Sequence, residues 1–364
     1  MATDAAVLEI DLGAIGMNYT YLRSRHAGPV AGVVKADAYG LGAIRVAPYL
    51  HAQGCRHFFT AHLSEALAIR PDLPDGMVAV LNSMLPGSEG DYLEAGIEPV
   101  LGSLDEIARW RAQAVRLGRR LPALLHVDTG LNRLGLDAAD LAALQADHSL
   151  LDGIELRYIM THLVAAEVPD DPANAAQCCA FAAACAGLPQ APRSFANSSG
   201  IFLGADFASD LARPGAALYG INPTPGRPNP LRPVVRLRAR VLSVRAVPAG
   251  AGVGYNGTWI APRPSRIATV AVGYADGWHR SLSGRGHAVF DGAPVPLVGR
   301  ISMDLTTYDA TDHPALVPGS WLELIGAGRT ADDVAADAGT NGYEVLTSLG
   351  RRYARHYKSG RYLG

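Results

Sequence analysis

Cysteine is scarce. Cys55, Cys178, Cys179 and Cys185 are the only ones in 364 residues, and none forms a C-x-x-C pair. That excludes a disulfide scaffold and a thiolate zinc site, and the four are expected as small, reduced core residues. An excess of charge of one sign is also missing. Thirty-two Lys and Arg stand against 34 Asp and Glu, a formal charge of −2, so neither nucleic acid nor a membrane surface is indicated as a partner. The one basic run, Arg236, Arg238 and Arg240, alternates with Val235, Leu237, Ala239 and Val241, which reads as one solvated strand face. Long apolar runs are absent. The longest uncharged stretch, Pro172 to Pro192, is rich in alanine but carries Asn174, Gln177, Pro189 and Gln190, so it is poor bilayer material. Asp4, Glu9 and Asp11 occupy the place where a secretory leader would be apolar, and a soluble cytoplasmic protein is expected.

What is present is enough apolar residue, 49%, for a sizeable core, and enough length for about two domains. Up to about residue 220, short apolar runs alternate with helical patterns. Val30–Val34 precedes a helix over Ala43–Gln53, Phe58–Ala61 precedes Glu65–Ile69, and Met77–Leu81 precedes Glu89–Glu94. Ile97–Leu101 precedes Leu104–Leu117, Leu121–Val127 precedes Ala138–Ala146, and Ile154–Thr161 precedes Ala173–Ala186. Two weaker units follow, Ser194–Ala196 with Ser199–Leu203 and Asp210–Arg213 with Ala216–Gly220. Eight strand–helix units predict a (β/α)8 barrel of the TIM type, and no G-x-G-x-x-G follows the first strand to favour an open dinucleotide-binding sheet. Asn222–Pro233, with five prolines, reads as a linker. Strand patterns then follow at Val234–Val247, Ile267–Val272, His287–Phe290, Pro294–Val298 and Trp321–Ile325. The expected organisation is a barrel over residues 1–225 and a mostly β domain over 226–364.

Lys35 leaves directly from the first apolar strand. A buried ammonium is costly unless paired or neutralised, and at the C-terminal mouth of a barrel such a lysine is placed to react with a carbonyl compound. The run Val34-Lys35-Ala36-Asp37-Ala38-Tyr39-Gly40-x-Gly42 resembles the cofactor-lysine signature of the alanine racemases, which are fold-type III pyridoxal-phosphate enzymes. The resemblance continues, in family order, through His126–Gly135, Thr161-His162, Asn197-Ser198, Arg213-Pro214-Gly215, Tyr219-Gly220, Val253-Gly254-Tyr255, Val272–Gly277, Gly299–Asp304 and Tyr343–Leu346. It spans roughly residues 8–350.

The resemblance implies pyridoxal phosphate as cofactor, alanine as substrate and a two-base mechanism. Lys35 would hold the cofactor and serve one face of the substrate Cα. Tyr255 would serve the other, helped by His162, which is linked in turn to Arg213. A guanidinium donates a hydrogen bond but does not give up its proton, so Arg213 facing the ring nitrogen would leave a weaker electron sink than an acidic partner. Tyr39, Ser198, Gly215 and Ala216 would hold the phosphate. Arg133 and Met303 would meet the substrate, with Tyr274 and Arg280 at its entrance. Tyr255 and Met303 would reach the partner's barrel, which makes a homodimer with shared sites. Two departures stand out. His126 occupies a position where many members carry a carbamylated lysine, so another anion or a nearby carboxylate is expected beside Arg133. Ungapped counting toward a C-terminal phosphate-binding tyrosine reaches Arg351, with Tyr353 two places later.

Competing readings are a racemase of another small amino acid such as serine, and a non-catalytic pyridoxal-phosphate carrier. Known carriers resemble only the barrel half, and the β domain with Tyr255 and Met303 argues against that reading. A metal-dependent hydrolase using His126, Asp128 and His162 is disfavoured by the cofactor-lysine run, and no metal is expected.

Overall fold

The computed structural model describes residues 4–359 and divides the chain into two compact units. One comprises residues 16–218 and 222–231. The other comprises the chain up to residue 15, residues 219–221, and the chain from 232 onward. The first strand, β1 (Ala6–Asp11), lies in this second unit, although the sequence places it within the barrel segment. Leu8 and Ile10 are fully buried, and β1 pairs antiparallel with β9 (Val235–Val247) and parallel with the strand Ala354–Lys358. A six-residue strand with a strong apolar face goes where a sheet edge can accept it, and the pattern of β1 alone does not say which sheet that is.

The barrel unit is built from β2 (Gly32–Val33), β3 (His57–Thr60), β4 (Met77–Val80), β5 (Glu98–Leu101), β6 (Leu121–His126), β7 (Ile154–Met160) and β8 (Arg193–Ser194). These seven run parallel in chain order. The expected eighth strand at Asp210–Arg213 is there only as single bridges. Leu211 pairs with Ser194 on one side and Ala212 with Val30 on the other, which closes the ring. The Pro214 carbonyl still accepts from the Val33 N–H at 3.2 Å, but Pro214 has no N–H of its own to extend the ladder. The last two helices of the eightfold pattern shrink to single turns, Gly200–Phe202 and Ala216–Tyr219. The helices Leu104–Leu117 and Ala138–Ala146 occur as expected. The first is closed by the Ser103 hydroxyl accepting from the Glu106 N–H and by Gly118 in a left-handed conformation, the second is opened by the Asp137 carboxylate.

Alternate strand residues fill the barrel interior, among them Val33, Phe59, Ala79, Val100, Leu124 and Met160. Burial of each large side chain contributes roughly 1.5–3 kcal/mol, which is why the short strands hold their register. One charged residue breaks the pattern. Glu98, on β5, is buried; one carboxylate oxygen lies 3.6 Å from the Arg157 Nε, and the other has no hydrogen-bond partner. Burial pushes its carboxyl up to about 7, with Arg157 opposing the shift. The folded state therefore keeps a proton that the unfolded chain releases above its ordinary value near 4.5. Stability is unaffected below that value, falls as pH rises toward 7, and stays reduced above it. Glu98→Gln, which carries no charge to desolvate, is expected to stabilise the protein by about 2 kcal/mol at pH 8. At pH 4 it should change little. Paired urea unfolding curves at the two pH values check this, and an equal effect at both would contradict it.

In the second unit, β9 is the long central strand. It pairs with β1 and Trp321–Ile325, then passes a register shift and pairs with Ser265–Val270. Val235, Leu237, Ala239 and Val241 are buried along one face. Arg236, Arg238 and Arg240 occupy the other, but as a paired layer: Arg236 with Glu323, Arg238 with Glu9, and Arg240 stacked 4.2 Å from the Trp321 ring centroid. His287–Phe290 and Trp321–Ile325 have the bounds read from the sequence. The strands Thr306–Asp309 and Ala354–Lys358 and the helices Ala331–Ala338 and Gly342–Ser348 complete this unit. All four cysteines are free; Cys55 and Cys185 are buried, whereas Cys179 is exposed on the outer face of the helix Pro172–Ala186 rather than in the core. Among the described residues no helix is long and apolar enough to cross a membrane.

Candidate active site

Lys35 begins a turn, Lys35–Gly40, of unusual hand. Ala36, Asp37, Ala38 and Tyr39 all have φ between 52° and 55°, a left-handed helical turn made without glycine. Each such residue costs roughly 1–2 kcal/mol, so the surrounding structure must hold the turn. The turn presents Lys35 at one end and Tyr39 at the other. Lys35 looks into an open cavity of about 820 Å³ whose wall also carries His126, Arg133 and His162.

This cavity is rich in positive charge and poor in negative charge. Burial and the Arg133 charge hold the Lys35 amine below its ordinary value of 10.5, with Glu65 acting the other way. Burial and then Arg213 push His162 down to about 3, and the same two causes push His126 down to about 4. Both imidazoles are neutral at physiological pH. Arg213 is 5% exposed and burial lowers it to about 10, so it stays protonated. It donates to the Thr161 carbonyl and the Ser194 hydroxyl, and no carboxylate of the described residues pairs with it. Arg213 is thus a buried cation that no carboxylate of the described residues compensates.

Arg133 sits on a loop that Asp128 builds. The Asp128 carboxylate accepts from the N–H groups of Gly130, Leu131 and Asn132 at 3.0, 2.9 and 2.9 Å. With its oxygens used this way, Asp128 is a loop anchor. No carboxylate of the described residues pairs with Arg133 either. The Thr129 and Thr161 hydroxyls are 2.8 Å apart, and Gln177 donates to Thr129 and to the His162 carbonyl at 3.0 Å each. Sequence reading passed over Gln177; its one signal was a polar side chain on an alanine-rich helix.

Beside the cavity, Ser198 and the segment after Arg213 form a tight cradle. The Ser198 hydroxyl oxygen accepts from the Gly215 and Ala217 N–H groups at 3.1 and 3.2 Å. The Ala216 N–H faces the Tyr39 hydroxyl, whose pKa burial raises to about 12. A Cβ at Gly215 would lie 2.3 Å from that hydroxyl, so only glycine lets the backbone come this close. Lys35, Tyr39, Arg133, His162, Ser198, Arg213, Gly215 and Ala216 therefore all belong to the barrel unit.

Tyr255 and Met303 belong to the β unit, and both are strongly exposed, at 69% and 54%. The Tyr255 hydroxyl has no hydrogen-bond partner among the described residues. Tyr274 is half exposed on a loop docked against the Met303 loop, with its N–H on the Ser302 carbonyl at 3.0 Å and the Ala275 N–H on the Met303 carbonyl at 2.9 Å. A Cβ at Gly273 would strike those same two carbonyls at 2.4 and 2.3 Å. Tyr353 is buried in this unit.

Residues 10–223 match the family model for the alanine racemase N-terminal domain, and residues 234–357 match that for the C-terminal domain. The chain is 57% identical to the alanine racemase of Acidiphilium cryptum, covering 97% of this chain and 98% of that one. It is 49% identical to a catabolic alanine racemase of Agrobacterium fabrum, covering 96% and 91%. Its fold superposes on the Bartonella henselae alanine racemase crystal structure with covalently bound pyridoxal phosphate at a TM-score of 0.95, with 43% identity over 97% of this chain and 99% of that one. The biosynthetic alanine racemase of Pseudomonas aeruginosa gives a TM-score of 0.92 at 33% identity, covering 98% and 100%. The chain belongs to the alanine racemase family.

Proposed function

We propose that this chain interconverts L- and D-alanine as a cytoplasmic homodimer that uses pyridoxal phosphate, with Lys35 serving one face of the substrate Cα and Tyr255 of the partner subunit serving the other. The observation that carries the reading is a partly buried lysine at the mouth of the barrel, beside a hydroxyl-and-amide cradle and a buried arginine with which no carboxylate of the described residues pairs. That donor set fits the cofactor's three polar ends. Ser198, Tyr39 and the backbone at Gly215 and Ala216 would hold its phosphate, Lys35 its aldehyde carbon, and Arg213 its ring nitrogen. Hydroxyls and glycine-permitted backbone N–H groups are the groups that bind phosphate closely without adding a competing side chain.

When bound, pyridoxal phosphate supplies the electron sink that makes the Cα proton removable. The chain's residues do the rest. Burial and Arg133 favour the neutral amine of Lys35, the form that takes a proton. His162 is neutral, so it can accept a hydrogen bond from a tyrosine hydroxyl and hold it as a proton carrier. Arg213 donates a hydrogen bond and keeps its own proton, which holds the ring nitrogen neutral. Arg133 offers charge to the substrate carboxylate. Tyr255 and Met303 lie among several exposed apolar side chains of the β unit, Tyr274 and Leu305 included, and such exposure supports their engagement by a second copy.

The test is chiral analysis of the products formed from L-alanine by the purified protein with pyridoxal phosphate in D2O, with L-serine in parallel. D-Alanine carrying deuterium at Cα is the expected product. Faster turnover of serine would shift the substrate assignment, and bound cofactor without exchange in either amino acid would overturn the catalytic reading in favour of a carrier.

A further inference from the structure

Glu65 is the third residue of the helix Leu63–Ile69, where a glutamate ordinarily reaches back to cap its own helix. It does so here: one carboxylate oxygen accepts from the Ala61 and His62 N–H groups at 2.8 and 3.2 Å. A local cap needs nothing more. The other oxygen, however, accepts from the Ala36 N–H at 2.7 Å, a residue 29 positions earlier. Ala36 follows Lys35 directly and is the first residue of the left-handed turn, with φ 52° and ψ 47°. As one of the first N–H groups of the turn, the Ala36 N–H has no acceptor within the turn itself. The far end of the turn is held by another carboxylate, with the Ala43 N–H on Asp37 Oδ1 at 2.7 Å and the Gly42 N–H on the Asp37 carbonyl at 2.8 Å. In the middle, the Ala38 N–H donates to the Val34 carbonyl at 2.8 Å.

We infer that Glu65 is the positioning residue of Lys35: its carboxylate ties the strained residue after the lysine to the end of β3, and so fixes the direction in which the amine leaves the barrel wall. The inference rests on the reading of Lys35 as the cofactor-bearing base. Charge is part of the design. A carboxylate accepts from three N–H groups at once, whereas a carboxamide has one acceptor oxygen and turns its NH2 toward at least one of them. Glu65→Gln is therefore not a neutral isostere here.

The experiment compares the full-length wild type with Glu65→Gln and with Asp137→Ala. The last removes the cap of another helix, where the carboxylate accepts only from the local Ala139 and Asp140 N–H groups. Two readouts are followed: amide hydrogen exchange at Ala36, Ala61 and His62 in protein stripped of cofactor, and the rate at which added pyridoxal phosphate becomes covalently attached to Lys35. Glu65→Gln should speed exchange at Ala36 and slow attachment roughly tenfold, since small displacements of a reacting group are costly in rate. Asp137→Ala should slow neither. With Lys35 facing the Cα–H of D-alanine and Tyr255 that of L-alanine, as the family resemblance implies, Glu65→Gln in holoenzyme should also raise the Cα-deuterium isotope effect measured with D-alanine and lower that with L-alanine, because the Lys35 step becomes the slower one. Unchanged attachment in Glu65→Gln despite faster Ala36 exchange would overturn the inference. So would unprotected Ala36 in the wild type, a measurement that stands even if the variant does not fold. Should the wild-type cofactor attach elsewhere than Lys35, the reading of Lys35 fails instead, whatever the exchange at Ala36.

Discussion

Lys35→Ala is expected to remove at least a thousandfold of the racemase activity while the protein still folds and still binds pyridoxal phosphate. The size of the loss follows from the two tasks placed on one amine, covalent attachment of the cofactor and proton transfer at Cα, each of which ordinarily contributes about 10²-fold or more. The retained binding follows from the architecture. The cradle at Ser198, Gly215 and Ala216 is held by hydrogen bonds that do not involve Lys35, and Arg213 is fixed by the Thr161 carbonyl and the Ser194 hydroxyl. Folding should be little affected, because on balance the surroundings of Lys35 oppose its charge: burial, Arg133 and Arg213 disfavour the ammonium and only Glu65 favours it. Its removal takes away an unfavourable group rather than a packing element. Chiral product analysis, cofactor binding by equilibrium dialysis and a melting curve separate the three statements. Activity above a tenth of wild type would remove Lys35 from the chemistry. Loss of binding together with activity would make it an anchor alone.

Much of this fold and site is legible in the sequence, and the pattern of what is not has physical causes. Elements whose apolar residues recur with a clean period, such as Leu104–Leu117, Ala138–Ala146 and β9, appear at or within one residue of their expected bounds. The eighth barrel strand faded because its residues bridge singly before Pro214. The fate of β1 was not readable, since an apolar alternation specifies a face and not a partner. The left-handed turn at Ala36–Tyr39 was hidden for a stronger reason. None of its residues is glycine, so the sequence favours an ordinary right-handed conformation there, and only distant groups such as Glu65 hold the other hand. Motif residues identified Lys35, Tyr39, Arg133 and Arg213 as candidates. The groups that hold them, Glu65 and Asp128 through backbone N–H bonds and Gln177 through Thr129, have no fixed sequence spacing from the residues they serve.

Tyr255→Phe is expected to be almost as inactive as Lys35→Ala, and a mixture of the two inactive proteins is expected to recover activity. The phenyl ring keeps the shape of Tyr255 and removes only the hydroxyl, the one group able to carry a proton there. The side chain is exposed, so its loss should leave stability unchanged. The recovery distinguishes a shared site from a site within one chain. In a two-fold dimer, a Lys35→Ala subunit still offers Tyr255 to its partner, and a Tyr255→Phe subunit still offers Lys35. Each heterodimer then contains one intact pair and one pair with both defects. Random reassembly of equal amounts makes half the dimers mixed, so about one quarter of wild-type activity should return. The rate of recovery should follow subunit exchange, and it should be absent when the two proteins are kept apart by a membrane that passes only small molecules. If each active site drew both residues from one chain, no mixture could contain an intact site and activity would stay at the level of the separate variants. A modest recovery well below one quarter would instead report slow exchange, which fluorescence transfer between labelled subunits measures directly. The exposed Met303 makes the same argument from the substrate side: Met303→Ala placed in the Lys35→Ala subunit should weaken alanine binding in the recovered dimer, whereas in the Tyr255→Phe subunit it should leave the recovered activity untouched.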